Sequence, residues 1–153
     1  EVYLVDIGGE VLARGAKPDG GEWKVGIEKP SGHPDDPREL EAVALIRDKA
    51  LATSGSYRKF YEKDGLRFSH TIDPRTGYPV SHHLLSASVL AGDAATADAW
   101  ATAFMVMGTE AAMAKVSATP ALEAFLIYTN EEGNFETWAS PGLKEMLVTP
   151  EPK

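Results

Sequence analysis

Apolar and polar residues alternate over residues 2–7 (VYLVDI) and run straight into Gly8-Gly9. This is the pattern of a strand entering a tight turn, with residues 10–14 (EVLAR) returning as its partner. Residues 22–28 (EWKVGIE) alternate in the same way and predict a third strand. The polar stretch 29–38 (KPSGHPDDPR) carries three prolines and reads as a surface loop, with His33 solvated. Residues 39–51 fit a helix or a strand and hairpin, since Val43, Leu45 and Ile46 precede Asp48-Lys49; we read strand. Residues 52–57 (ATSGSY) set Thr53, Ser54, Gly55 and Ser56 in a row, a hydroxyl-rich turn that serves structure or contacts phosphate. Two further strands, 58–62 and 66–72, flank a turn at Asp64-Gly65 and deliver the chain to the stretch 69–80.

The second half brings helices. Residues 84–90 (LLSASVL) are apolar enough for a buried strand. Asp93 is placed to cap a helix running to Met107, stopped by Gly108, and residues 109–117 predict a second helix ending before Pro120. Residues 123–129 (EAFLIYT) and 135–138 (FETW) form a hairpin over 130–134. Residues 141–147 predict a short terminal helix, with a frayed tail after it. Strand runs interleaved with a few helices give an α+β fold, mainly antiparallel.

Composition narrows the function classes. A net charge of −8 argues against duplex nucleic acid as a partner, which rewards clustered Lys and Arg. Cysteine is absent, which excludes disulfides, thiolate zinc sites and a cysteine nucleophile. No apolar run approaches the roughly 20 residues of a membrane helix. The chain opens directly as a strand and without Met, so we expect a longer polypeptide whose missing part lies upstream.

The candidate chemistry gathers in two places. The stretch 69–80 (SHTIDPRTGYPV) sets His70, Asp73 and Thr76 in a loop stiffened by Pro74 and turned by Gly77. An imidazole exchanges its proton near neutrality, so His70 suits acid or base work; a plain structural turn with a surface histidine is the alternative. The helix 93–107 sets Asp98 and Thr102 at i and i+4, on one face a turn apart. A carboxylate and a hydroxyl make part of a Mg²⁺ site, the ion keeping several waters; otherwise Asp98 is solvated and Thr102 bonds its own helix. Ala, Trp, Phe and Met surround Asp98 in the sequence, so we expect a buried carboxylate that must be paired or ligated. Gly8-Gly9 forms a hairpin turn or lets backbone amides approach a ligand. His82-His83 forms a weak surface metal pair or a solvated strand end. No G-x-S-x-G, G-x-x-x-x-G-K-[ST], G-x-G-x-x-G or H-E-x-x-H motif occurs.

Six blocks in this order resemble one family: YLVDIGGE, WKVGIEKP, ATSGSYRKF, SHTIDPRTGYPV, ADAWATAFMVMG and FETWASPGLKEML. The chain resembles the FAD:protein FMN transferases, the ApbE-type flavin transferases. The resemblance implies a tunnelling-fold-like α+β architecture and a Mg²⁺-dependent reaction. Such enzymes cleave FAD, attach FMN through its phosphate to a Thr or Ser of a target flavoprotein, and release AMP; some members hydrolyse FAD instead. It implies that Asp98 and Thr102 ligate the metal, that His70 acts in transfer and that Ile72 offers a backbone contact to FAD. With Asp73 and Thr76 of the same loop and the Gly8-Gly9 turn, these make up the expected FAD site. Ala101 stands where some relatives carry a second aspartate. The family's N-terminal half, with further FAD contacts, is expected as a partner of this chain. Relatives also imply a lipid-anchored protein on the periplasmic side of the bacterial inner membrane. An FAD-binding module without transfer and an inactive fragment are the alternatives.

Overall fold

Strands buried along most of their length are covered on both faces, and two such strands lie within the main sheet of this fold. A computed structural model describes residues 1–31, 37–56, 60–63 and 66–150. Its main sheet has six antiparallel strands in the order β1 (Tyr3–Ile7), β2 (Glu10–Arg14), β5 (Lys49–Gly55), β8 (Leu84–Ala91), β9 (Glu123–Thr129) and β10 (Phe135–Ala139). A three-stranded sheet holds β11 (Leu147–Val148), β4 (Leu40–Ile46) and β3 (Trp23–Glu28). A separate pair joins β6 (Phe60–Lys63) to β7 (Leu66–Ser69). The α+β class with antiparallel pairing is as the sequence predicts.

One face of the main sheet carries the helices. Ala50, Ala52, Val89, Ala124 and Leu126 pack there against Ala97, Ala101, Phe104 and Met105 of α1 (Ala94–Met107) and against Ala112 and Val116 of α2 (Thr109–Ser117). Alanines on both surfaces bring helix and sheet close together. The opposite face uses the alternate residues of the same strands, Leu51, Leu90, Phe125 and Ile127, against Ile27, Ala42, Ala44 and Ile46 of the small sheet. The fold is therefore layered: small sheet, large sheet, helices. Burying a side chain such as Phe104 stabilises this arrangement by about 1.5–3 kcal/mol.

The helix termini follow the sequence signals. The Asp93 carboxylate accepts from Thr96 N at 2.8 Å and from the Thr96 hydroxyl at 2.8 Å, and Gly108 ends α1 at φ 84°. These bonds, the backbone one first, hold the Asp93 carboxyl below the usual carboxylate range.

Three expectations need correction. β4 and β5 flank residues 47 and 48 as a hairpin would, yet they do not pair. β5 has β2 on one edge and β8 on the other, so the turn, with Asp48 at φ 53°, carries the chain from one sheet to the next. The hydroxyl-rich stretch is the end of strand β5 rather than a turn: Thr53 Oγ1 and Ser88 Oγ lie 2.7 Å apart across the ladder. The terminal helix α3 (Pro141–Lys144) is a single turn, and Leu147 and Val148 instead pair with Ala44 and Val43. His33, Tyr57, the turn at Asp64-Gly65 and the last three residues lie outside the described residues.

α3 is locked by one carboxylate. Glu123 accepts from Leu143 N at 3.2 Å and from the Ser140 hydroxyl, whose oxygen in turn accepts from Ala124 N at 2.9 Å. A methyl at Gly142 would fall on that carboxylate and displace it from both bonds. Gly142→Ala is expected to cost about 1–3 kcal/mol, read as a lower midpoint of thermal unfolding. An unchanged midpoint would show that Glu123 can swing aside without loss.

Candidate active site

Hairpin β1–β2 turns through two residues, Gly8 at φ 71° and Gly9 at φ 106°. Two-residue turns that match strand twist need positive φ at both positions, which only glycine adopts without strain. Asp6 Oδ1 accepts from Gly9 N at 3.0 Å and fixes the turn. This turn borders a cleft of about 660 Å³. Leu4, Asp6, Val11, Leu51 and Thr53 contribute from the β1–β2–β5 side of the large sheet, Lys24 to Gly26 from β3, and Ser54, Gly55, His70 and Asp98 also line it.

The structure thus brings His70, Asp98, Gly8 and Gly9 around one cavity. β7 ends at Ser69, and His70 follows it, exposed, at the root of the loop. Asp98 is exposed too, which corrects the expectation of a buried carboxylate: the packed stripe of α1 is Ala97, Ala101, Phe104 and Met105, and Asp98 lies beside it. Thr102, one turn on, is also exposed, and its hydroxyl lies 3.1 Å from Ser54 Oγ at the end of β5. Asp98, Thr102 and Ser54 therefore form a neighbourhood of hard oxygen donors. Among the described residues no group of three or more His, Asp or Glu could hold a metal. The donor set fits Mg²⁺, an ion commonly bound through one or two carboxylates and phosphate while retaining water. Ala101 is wholly buried against the sheet.

Ile72, Asp73 and Thr76 are placed otherwise. The loop is a miniature hairpin: Ile72 bridges Pro79, Asp73 N donates to Tyr78 O at 2.9 Å, and Val80 N to Thr71 O at 3.0 Å. Gly77 turns it at φ 74°. Arg75 donates to the Asp73 carboxylate through Nε at 3.0 Å and Nη2 at 2.7 Å, and its backbone N adds a bond at 2.9 Å. The Arg75 guanidinium, and then its N–H, hold the Asp73 carboxyl below the usual carboxylate range. Thr76 Oγ1 accepts from Tyr78 N at 3.2 Å. Asp73 and Thr76 border a second cavity, of about 380 Å³, with Val106 and Met107 at the end of α1, while Ile72 is 48% exposed. These residues build the frame that ends at His70.

His82 is not half of a metal pair. Its Nδ1 accepts from Leu84 N at 3.2 Å, so Nε2 carries the proton and donates to Met105 O at 2.6 Å. It joins the loop's exit to the last turn of α1, where carbonyls lack helical partners. His83, exposed, lies 3.3 Å from Thr129 Oγ1.

Residues that the sequence patterns did not single out also line the cleft. Lys24, Glu28 and Arg38 are among them, with Arg38 donating to Glu28 at 3.2 Å. Outward polar positions of a strand carry no local mark of what they face.

The ApbE family model matches residues 1–126. The chain belongs to the ApbE family. It is 44% identical to the FAD:protein FMN transferases of Salmonella typhimurium and of Escherichia coli K12, over 96% of this chain and 41% and 40% of theirs. The solved structure of the flavin transferase ApbE from Vibrio cholerae superposes with a TM-score of 0.79 at 40% identity, over 95% of this chain and 44% of that one. The chain thus spans about two fifths of the length of the curated ApbE relatives it matches.

Proposed function

We propose that this cleft is part of the active site of a FAD:protein FMN transferase. The observation that carries the reading is that His70 and Asp98, on different elements, line one cavity large enough for a diphosphate. The printed activity of the 44% identical relatives supports it. Asp98 and Thr102 would hold Mg²⁺, with Ser54 bonded to the Thr102 hydroxyl. When bound, the ion offsets charge on the diphosphate.

The chain's own groups do the rest. A Thr or Ser hydroxyl of the acceptor protein approaches His70, which takes its proton as the hydroxyl oxygen bonds to the FMN phosphorus. The bond from that phosphorus to the bridging oxygen breaks, and AMP leaves with the electron pair. The loop frame of Asp73, Arg75 and Thr76 holds the imidazole in place, and the Gly8-Gly9 turn keeps side chains away from one border of the cleft. Water in place of the acceptor's hydroxyl would give free FMN and AMP by the same steps.

The counterpart of the remaining length of the relatives is proposed to complete the FAD site. We place the whole protein, on the resemblance alone, at the periplasmic face of the inner membrane with a lipid anchor. No helix among the described residues is long and apolar enough to cross a membrane. Incubating the complete protein with FAD, Mg²⁺ and an acceptor flavoprotein tests the reading. Covalent flavin fluorescence on the acceptor, with AMP released, is expected; absence of both products would overturn it.

A further inference from the structure

Charge in the cleft is unevenly distributed. Asp6, Glu10, Glu28 and Asp98 line it, against two described cations, Lys24 and Arg38. Arg38 pairs with Glu28 at 3.2 Å across the wall. A diphosphate entering among these carboxylates gains from cationic charge on the wall as well as from an ion held by Asp98.

Lys24 is placed to supply that charge. Among the described residues β3 pairs with β4 alone. Along β3 Trp23, Val25 and Ile27 pack toward the core between the sheets, while Lys24 stays exposed. Lysine on an ordinary edge strand is a solvated charge that discourages aggregation. Here the strand borders the cavity that also holds His70 and Asp98. An ammonium has three donors on a flexible stem, so Lys24 can keep the interaction it already makes within the protein and still reach a phosphate oxygen.

Resting on the transferase reading, we propose that Lys24 is a substrate-binding residue that contacts the diphosphate of FAD from the β3 wall. It acts on binding rather than on proton transfer, which is the work of His70. The contact also favours FAD over flavins without phosphate.

Equilibrium binding to the complete protein, followed by flavin fluorescence, tests this with FAD and with riboflavin, which lacks phosphate. Lys24→Met is expected to weaken FAD binding about tenfold, the size of one charge-assisted hydrogen bond. Riboflavin binding stays unchanged, and Lys24→Arg restores most of the affinity for FAD. Added salt weakens the wild type more than Lys24→Met. Equal FAD affinity in wild type and Lys24→Met would overturn the proposal, and so would a parallel loss for FAD and riboflavin, which marks a structural role. A wild type that binds no FAD would instead sink the transferase reading itself.

Discussion

Replacing His70 with alanine is expected to lower flavin transfer by the complete protein about 10²–10⁴-fold, the usual worth of a positioned acid or base. FAD binding should change little, because in the proposed mechanism the imidazole meets the acceptor's hydroxyl rather than the nucleotide. The fold should survive as well. His70 is exposed, and the loop after it is closed by its own bonds, those of Asp73 with Arg75 and of Thr71 with Val80. Steady-state transfer rates, set beside FAD affinity and thermal midpoint, separate these effects. Unchanged turnover would remove the proton-transfer role, and a collapsed midpoint would show that His70 is structural.

Asp98→Ala is expected to cut transfer by at least about a hundredfold, since losing a direct ligand should exceed the 10–100-fold typical of outer-shell partners. Its carboxylate is the one charged group in the proposed donor set; Thr102 and Ser54 offer neutral hydroxyls, which hold a hard cation weakly by themselves. Stability should not follow activity down. Asp98 stands on the solvent side of α1, clear of the buried Ala97, Ala101, Phe104 and Met105. The signature is a folded protein with an unchanged melting curve and little transfer at any Mg²⁺ concentration. Normal rates in this variant would contradict the metal assignment.

Local signals in the sequence translated well where they have local causes. The capping carboxylate of Asp93, the stop at Gly108, the two-residue turn at Gly8-Gly9 and the boundaries of α2 all arise from residues close in the chain. Partnership between strands does not. The turn at Arg47 and Asp48 has the same composition whether the following strand doubles back or crosses to another sheet; the packing of Ala42, Ala44 and Ile46 against Leu51 and Leu90 decides it. A two-residue strand such as β11 is too short to show periodicity at all.

The site divides along the same line. The sequence pointed to His70, Asp98, Thr102 and the glycine pair, but that His70, Asp98 and the glycines line one cleft depends on the packing of segments far apart in the chain. The spacing of Asp98 and Thr102 implied a shared helical face without saying that it is the exposed one. Asp73 and Thr76 looked like ligands because they flank His70 in sequence, whereas their polar atoms are used to close the loop. Lys24 could be found only once β3 was seen to border the cleft.

The central claim is that Asp98 serves an ion bound with FAD in the same cleft as His70. The most direct measurement is the affinity of the complete protein for FAD as Mg²⁺ is titrated, in the wild type and in Asp98→Asn, whose side chain keeps its size and loses its charge. The account predicts that Mg²⁺ tightens FAD binding in the wild type and leaves Asp98→Asn almost unmoved. An equal Mg²⁺ response in both proteins would contradict it.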